Sequence, residues 1–535
     1  MERVRPHLAP LLLLLLVAFA LYGKALGHDF LSNWDDRDYV TTNPDIMGFT
    51  VANLRHAFTN YYVGNYAPLQ IVSYMLDYSL GGLNSGYFIF TNILFHALNA
   101  MLYYALLMRI SGRRMLALVA ALLFLCHPVQ VESVVWISQR KTLLAMFFFL
   151  ISFLQYLNWK ERRLVIYYVI SLAAFALALL SKSVVVVMPL LLICYDLCFR
   201  ERETLWLLVR DKLLYLALAV ACIILALQSH IRIGGIGADP WIIFLNMVPV
   251  FSKYLVLLFA PFQLSIIYNG PIKTAFDMEV VLSLLVISLC LAAWLRTYRH
   301  NRSLFFWCSL FVLGLLPVAN IIPIVTLMND RYLYFPMLGF AAFIGHLPIF
   351  AAGNRVIGRV AALRALFAAF LLMLTVITWR QIDVWQDSIT LWTDAVTRAK
   401  AGSWYLQDSN FIKSALAEAL TRRGFQAEQN GSITEARRYY VKALAYDPSW
   451  EMALSSMGRL YFLEGKHLLG RPYLIRLTEV YPHDDKGFVN LGTNYYLTGE
   501  LKMAVENLTR ALKINPGNEI ARKLLREIVV ATGGG

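Results

Sequence analysis

The chain has 535 residues, 59% of them hydrophobic and 15% charged. Soluble globular proteins are roughly 45–50% apolar and about 25% charged, so a water-soluble fold and a disordered chain are both excluded and a polytopic membrane protein is predicted. The net charge of +14 sits in the apolar part. Residues 1–380 hold 29 Lys and Arg against 17 Asp and Glu, and residues 381–535 hold 19 against 17. A basic excess confined to the apolar part reads as a topology signal rather than a phosphate-backbone footprint, so no nucleic-acid partner is expected.

Apolar stretches of about 17–25 residues are candidate spans. They fall near 8–26, 87–108, 115–137, 142–158, 164–180, 183–199, 205–227, 243–262, 280–295, 303–326, 332–352 and 361–379. The first follows Arg3 and Arg5 and reads as an uncleaved signal anchor. With those arginines inside, the clusters Arg109/Arg113/Arg114, Lys160/Arg162/Arg163 and Arg200/Arg202 also fall inside. The stretch 243–262 is interrupted by Pro249, Lys253 and Pro261, and a crossing there would place two Arg clusters on the wrong side. It is therefore read as re-entrant or interfacial, which leaves about 11 spans, the N-terminus inside and the C-terminal tail outside. The six cysteines all lie in apolar stretches, so no disulfide framework is implied.

A period appears in the tail. Pro448, Pro482 and Pro516 are 34 residues apart, Gly424, Gly458 and Gly492 share a column, and so do Ala436, Gly470 and Ala504. This is the tetratricopeptide (TPR) pattern, a small residue where paired helices touch and Pro closing each unit. Repeats are expected at about 417–450, 451–484 and 485–518, with a cap helix at 519–530 and connecting and lead-in helices over 381–416. The predicted fold class is all-α: a transmembrane helical domain over 1–380, followed by a C-terminal TPR α-solenoid at 417–530.

Charged groups that persist at membrane depth are functional candidates. The first outer loop, about 27–86, carries Trp34-Asp35-Asp36. Two adjacent carboxylates can supply a general base, because each raises the other's pKa. On the same side lie His127-Pro128 with Glu132, then Arg140 and Lys141, Lys182, and Asp330-Arg331. Cations and acids on one face of one membrane domain suggest a pocket for an anionic head group. The histidines lack metal-ligand spacing, so no metal site is expected.

At these residues the chain resembles the transmembrane and TPR-containing O-mannosyltransferase family, within the GT-C glycosyltransferase superfamily. The matching pieces are Phe30 to Tyr39, His127-Pro128 with Glu132, Arg140, Ser181-Lys182, Asp330 to Tyr334, and the repeats. Two departures stand out. Ser183 occupies a place where many relatives have Glu, and the short repeat array points to a bacterial relative.

The resemblance implies a GT-C-type membrane fold and a hexosyltransferase acting on a polyprenyl- or dolichyl-phosphate sugar, with no obligatory cofactor or metal. The acceptors would be Ser and Thr hydroxyls of exported proteins. It implies Asp36 or Asp35 as base, with a slight preference for Asp36. Arg140, Lys182, Arg331 and Lys141 would hold the donor phosphate. Glu132, Asp330, Trp34 and His127 would orient cations or acceptor. The repeats would bind acceptor or partner, and a homo-oligomer stays open. The expected location is a bacterial inner membrane with periplasmic repeats, or the ER membrane with lumenal ones. Competing readings are a non-catalytic membrane-anchored TPR scaffold, a transporter, and transfer to a lipid or glycan.

Overall fold

A computed structural model describes residues 5–200, 205–232, 239–268, 270–321, 324, 326–347, 350, 359–400 and 409–531. Among these residues the protein is all-helical, with one isolated antiparallel bridge between Tyr62 and Asn65. The chain divides into two units, Met1–Leu391 with Arg398–Gln407, and Trp392–Thr397 with Asp408–Gly535.

In the first unit six helices are long and apolar enough to cross a membrane: Leu8–Gly27, Ser85–Ser111, Ile137–Arg162, Pro240–Phe259, Met278–His300 and Arg359–Val384. A seventh candidate is the bent pair Arg114–Cys126 and Pro128–Val135, which turns by 56°. Four shorter apolar helices accompany them: Val165–Ser181, Ser183–Phe199, Leu213–Gln228 and Arg302–Val318. The expected span 332–352 contains the nine-residue helix Met337–Gly345. Residues 348, 349, 351 and 352 of that span, and Arg202 of the inside cluster, lie outside the described residues.

The helix ends form two sets. At one end, Lys24 pairs with Asp383 at 2.7 Å, which sets the C-terminal ends of Leu8–Gly27 and Arg359–Val384 level. At the other end, Ser303 and His346 are hydrogen-bonded at 3.0 Å, Gly345 packs against Leu116, and Arg109 pairs with Glu161.

Pro240–Phe259, expected to be re-entrant or interfacial, makes polar contacts along its length. Despite 20 residues and a mean hydropathy of 2.0, its polar partners along the length all belong to the Lys24 end. Asn246 bonds the Lys273 backbone at 2.9 Å, Lys253 pairs with Glu279 at 3.0 Å, and the Leu258 carbonyl meets His127 at 3.0 Å. It packs on the next helix at Val280, Leu284 and Ile287. Pro249 does not break it: proline removes one backbone donor, and the chain stays helical around it.

Pro128 does end a helix. Without an N–H it cannot continue Arg114–Cys126, and the chain proceeds through short 3-10 and α turns to Gln139. Irregular backbone in an apolar slab is tolerated only where its polar groups are satisfied by the protein. Side chains from surrounding helices do this. Asn92 donates to the Val134 carbonyl at 3.0 Å, Tyr74 to Ile137 at 2.7 Å, Gln70 to Ser138 at 2.9 Å, and Thr378 to Cys126 at 2.6 Å.

The second unit is a stack of antiparallel helix pairs. Asn410–Gln429 precedes Ile433–Tyr446, Glu451–Leu463 precedes His467–Val480, and Asp485–Leu497 precedes Leu501–Ile514, with Glu519–Ala531 last. A Cβ added at Gly424, Gly458 or Gly492 would run into Tyr440, Leu474 or Leu508 of the paired helix. That close approach is why the column of small residues exists. Their cores are local to neighbouring repeats, as in the cluster of Ala436, Tyr440, Met457 and Leu460.

Candidate active site

The break after Cys126, the first outer loop, Lys182 and Asp330-Arg331 come together at the Lys24 end of the first unit. Two turns of loop 1 supply the carboxylates. Asp36 is buried and accepts hydrogen bonds from the backbone N–H of Leu31 at 3.1 Å and of Ser138 at 3.0 Å. The Ser138 hydroxyl donates to it as well. Burial pushes its carboxyl up to about 6, against the pull of those donors. Asp35 is half-buried. Burial raises its pKa, and Lys141 and Arg331 oppose that rise by favouring the carboxylate.

Of the four cations expected to hold the donor, three converge. Lys182 caps the end of Val165–Ser181 in an extended conformation, and its Nζ donates to Thr142 Oγ1 at 2.8 Å. It lies within the electrostatic reach of Lys141, Arg331 and Glu132. Lys141 starts the helix that follows the break; its Nζ donates to the Tyr39 hydroxyl at 3.0 Å and lies 4.7 Å from the centre of that ring. Arg331 pairs with Glu132 through its guanidinium and through its backbone N–H, at 2.8 Å. Its guanidinium carbon lies 5.4 Å from the centre of the Trp136 ring. The Arg331 side chain keeps 14% of its surface, while Glu132 is buried.

The fourth expected cation stands apart. Arg140 is fully buried and spends its fork on Asp77 at 2.7 Å, the Phe88 carbonyl at 2.6 Å, Ser73 at 3.3 Å and Asn92. It is a strut between the outer-loop helix Pro68–Gly81 and the start of the helix bearing Lys141, and the expected phosphate contact is corrected accordingly. His127 is also corrected. Nε2 is hydrogen-bonded to the Leu258 carbonyl, and Nδ1 accepts the Val129 N–H at 3.3 Å. A ring used at both nitrogens to cap a helix break has nothing left for an acceptor. Asp330 is buried against the Tyr268 hydroxyl, and burial with nearby Glu132 pushes its carboxyl well up. It therefore supports the Glu132–Arg331 pair. Trp34 lies at the site, its ring 6.0 Å from that of Trp136.

Sequence reasoning did not single out Tyr39, Thr142, Ser138, Trp136 or Trp385. Each acts on a charged residue or an aromatic neighbour far away in sequence, and only adjacency to Asp36 or Lys141 hinted at any of them.

The arrangement is a half-buried carboxylate beside Lys141 and Arg331, with Lys182 near both cations, at one end of the helical first unit. The family model described as dolichyl-phosphate-mannose-protein mannosyltransferase matches residues 72–229, which contain the break, Lys141 and Lys182, and the tetratricopeptide-repeat model matches 486–518. The chain is thus similar to a membrane mannosyltransferase domain over 72–229 and to a tetratricopeptide repeat over 486–518. Among curated proteins the chain is 36% identical to mouse protein O-mannosyl-transferase TMTC1 over 25% of this chain and 15% of that one. It is 22% identical to human protein O-mannosyl-transferase TMTC3 over 85% of this chain and 53% of that one. These matches bear out the resemblance to the transmembrane and TPR-containing O-mannosyltransferases, of whose length the chain spans about half or less.

Proposed function

We propose that the protein transfers a mannose-like hexose from a polyprenyl-phosphate donor to Ser or Thr hydroxyls of exported proteins. The observation that carries this is Lys141 and Arg331 beside Asp35, with Lys182 close to both of those cations. Asp35 takes the proton of the acceptor hydroxyl as its oxygen attacks the anomeric carbon. The bond from that carbon to the phosphate oxygen breaks, and its electron pair leaves with the phosphate. A singly charged diester thereby becomes a monoester that gains charge as the bond breaks, and fixed cations aimed at that charge lower the barrier. Phosphate leaves without protonation, so one base suffices, unlike the two carboxylates of glycoside hydrolysis. Attack opposite the leaving group inverts the anomeric centre. The chain's own cations supply the counter-charge, and the reading assigns no metal or cofactor a role.

Asp35 replaces Asp36 as the base in this reading, because Asp36 is held by three donors and Asp35 faces the cations. The repeats are assigned to the acceptor protein. The site end of the membrane unit is assigned to the periplasmic face of a bacterial inner membrane, or to the ER lumen in a eukaryote. Eleven crossings, with Pro240–Phe259 lying across the site end, give that topology and are supported by the two sets of helix ends.

Mass spectrometry of exported proteins from cells with and without the chain tests the activity. The expected result is loss of hexose from Ser and Thr in the deleted strain, restored by the parental chain and not by Asp35→Asn. Full restoration by Asp35→Asn would overturn Asp35 as the base, and failure of the parental chain to restore the hexose would overturn the catalytic reading.

A further inference from the structure

The segment just before the second unit looks like a connector in sequence, yet it forms a wall of the candidate site. Trp385 is buried, and its ring stacks on Trp136 with centroids 5.7 Å apart and planes inclined by 26°. Trp136 carries Arg331 over its ring and has Trp34 beside it. The segment is tied to loop 1 at two points and to the end of the preceding helix at a third. Asp29 N–H donates to the Gln386 carbonyl at 2.9 Å, Lys24 pairs with Asp383 at 2.7 Å, and the hydroxyls of Ser32 and Ser388 lie 3.5 Å apart.

We propose that Trp385 is a positioning residue: by stacking on Trp136 it fixes the aromatic face over which the Arg331 guanidinium lies, and so holds that cation toward Asp35 and the donor phosphate. A guanidinium over an aromatic face is held by the ring quadrupole, and the hold depends on where the face points. Glu132 fixes the guanidinium at one edge, and the Tyr332 ring, 5.4 Å from the guanidinium carbon, shares the aromatic restraint with Trp136. Trp136 supplies the second face, and Trp385 removes the freedom of Trp136 to tip. The role in donor binding rests on the function proposed above; the restraint on Arg331 does not.

The test uses the full chain in lipid nanodiscs, with two readouts. One is phenylglyoxal modification of Arg331, followed by mass spectrometry of its peptide. The other is binding of dolichyl-phosphate mannose. Trp385→Ala is expected to raise the rate of Arg331 modification and the Kd for the donor by about fivefold each, on the scale of one lost cation–π restraint. Trp385→Phe restores both to within about twofold, and Trp385→Leu, which keeps bulk without an aromatic face, does not. An unchanged Arg331 modification rate in folded Trp385→Ala overturns the proposal. If Trp385→Ala does not fold, the Phe and Leu variants decide, and equal behaviour of those two overturns it. If Arg331 responds as expected but the parental chain binds no dolichyl-phosphate mannose, the positioning role stands and the proposed donor fails.

Discussion

Asp36 and Ser138, 102 residues apart in sequence, are joined twice: the Ser138 backbone N–H donates to the carboxylate at 3.0 Å, and so does the Ser138 hydroxyl. This welds loop 1 to the irregular stretch just before Lys141. It makes Asp36 a fastener and leaves its neighbour Asp35 to face the cations.

The two acids therefore respond differently to the same substitution. Asp35→Asn is expected to cut transfer by about 10²–10⁴-fold, the usual cost of losing a general base, with thermal stability unchanged. Asp36→Asn puts an amide where three donors converge, so its loss of activity should accompany a lower melting temperature. Rates and melting curves on purified protein check this. Full activity in both variants and in the double variant would remove loop 1 from the chemistry.

Asp36 also gives a signed pH effect on stability. Its folded pKa of about 6 lies above the ordinary aspartate value of 3.8, so folding favours the protonated form. That stabilisation is fully present below the unfolded value and is lost as pH rises through about 6. The melting-temperature difference between the parental chain and Asp36→Asn should thus change between pH 4 and 7, the parent losing ground as pH rises. A difference that stays flat over that window contradicts the buried-charge account.

The acid limb of the transfer rate should report Asp35. Burial raises its pKa, and Lys141 and Arg331 restrain the rise. Removing one restraint in Lys141→Met should move the limb to higher pH and lower the plateau rate, while Lys141→Arg should leave the limb near its parental place. A pH–rate profile measured on all three proteins decides. A limb that moves downward in Lys141→Met would show that Asp35 is not the titrating base.

Arg140 is predicted to matter for folding rather than for donor affinity. Arg140→Met leaves Asp77 as an uncompensated buried charge, which costs about 3–5 kcal/mol. Arg140→Met combined with Asp77→Leu should recover much of that loss, because pair and burial penalty disappear together. Thermal unfolding of the two variants gives the comparison, and donor affinity of the folded fraction should stay near parental. A selective loss of donor binding in stable Arg140→Met would return Arg140 to the phosphate site.

Topology is tested with cysteines placed at exposed positions. Asn60→Cys and His483→Cys should react with a membrane-impermeant maleimide from the exported side, and Arg162→Cys only from the other. The parental chain reports any labelling of its own six cysteines. Labelling of His483→Cys with Arg162→Cys would add a crossing and turn the repeats inward.

Much of this protein is determined locally and was legible in the sequence. The membrane class follows from composition. The 34-residue period follows from repeated helix pairs that touch only their neighbours, so Gly424, Gly458 and Gly492 mark contacts that recur at a fixed spacing. The break at Pro128 lies inside a stretch, 115–137, that hydropathy reads as one span, and it appears only in the structure. The chemistry-bearing side chains were also visible as charges where apolar residues are the rule.

What each charge does was decided by tertiary structure. Arg140 and Lys141 are adjacent and alike in sequence, yet helix geometry turns one toward Asp77 and Asn92 and the other toward Tyr39 and Asp35. Asp35 and Asp36 are separated in the same way, by which of them meets Ser138. Pro240–Phe259 has the length and hydropathy of a span, and the partners met by Asn246, Lys253 and Leu258 were not visible in the sequence. Trp385 lies in a stretch with no local signal at all. Hydropathy and periodicity report a residue's own neighbourhood along the chain, whereas a buried charge takes its role from the partner across the fold that offsets its desolvation. That partner is set by packing between helices far apart in sequence.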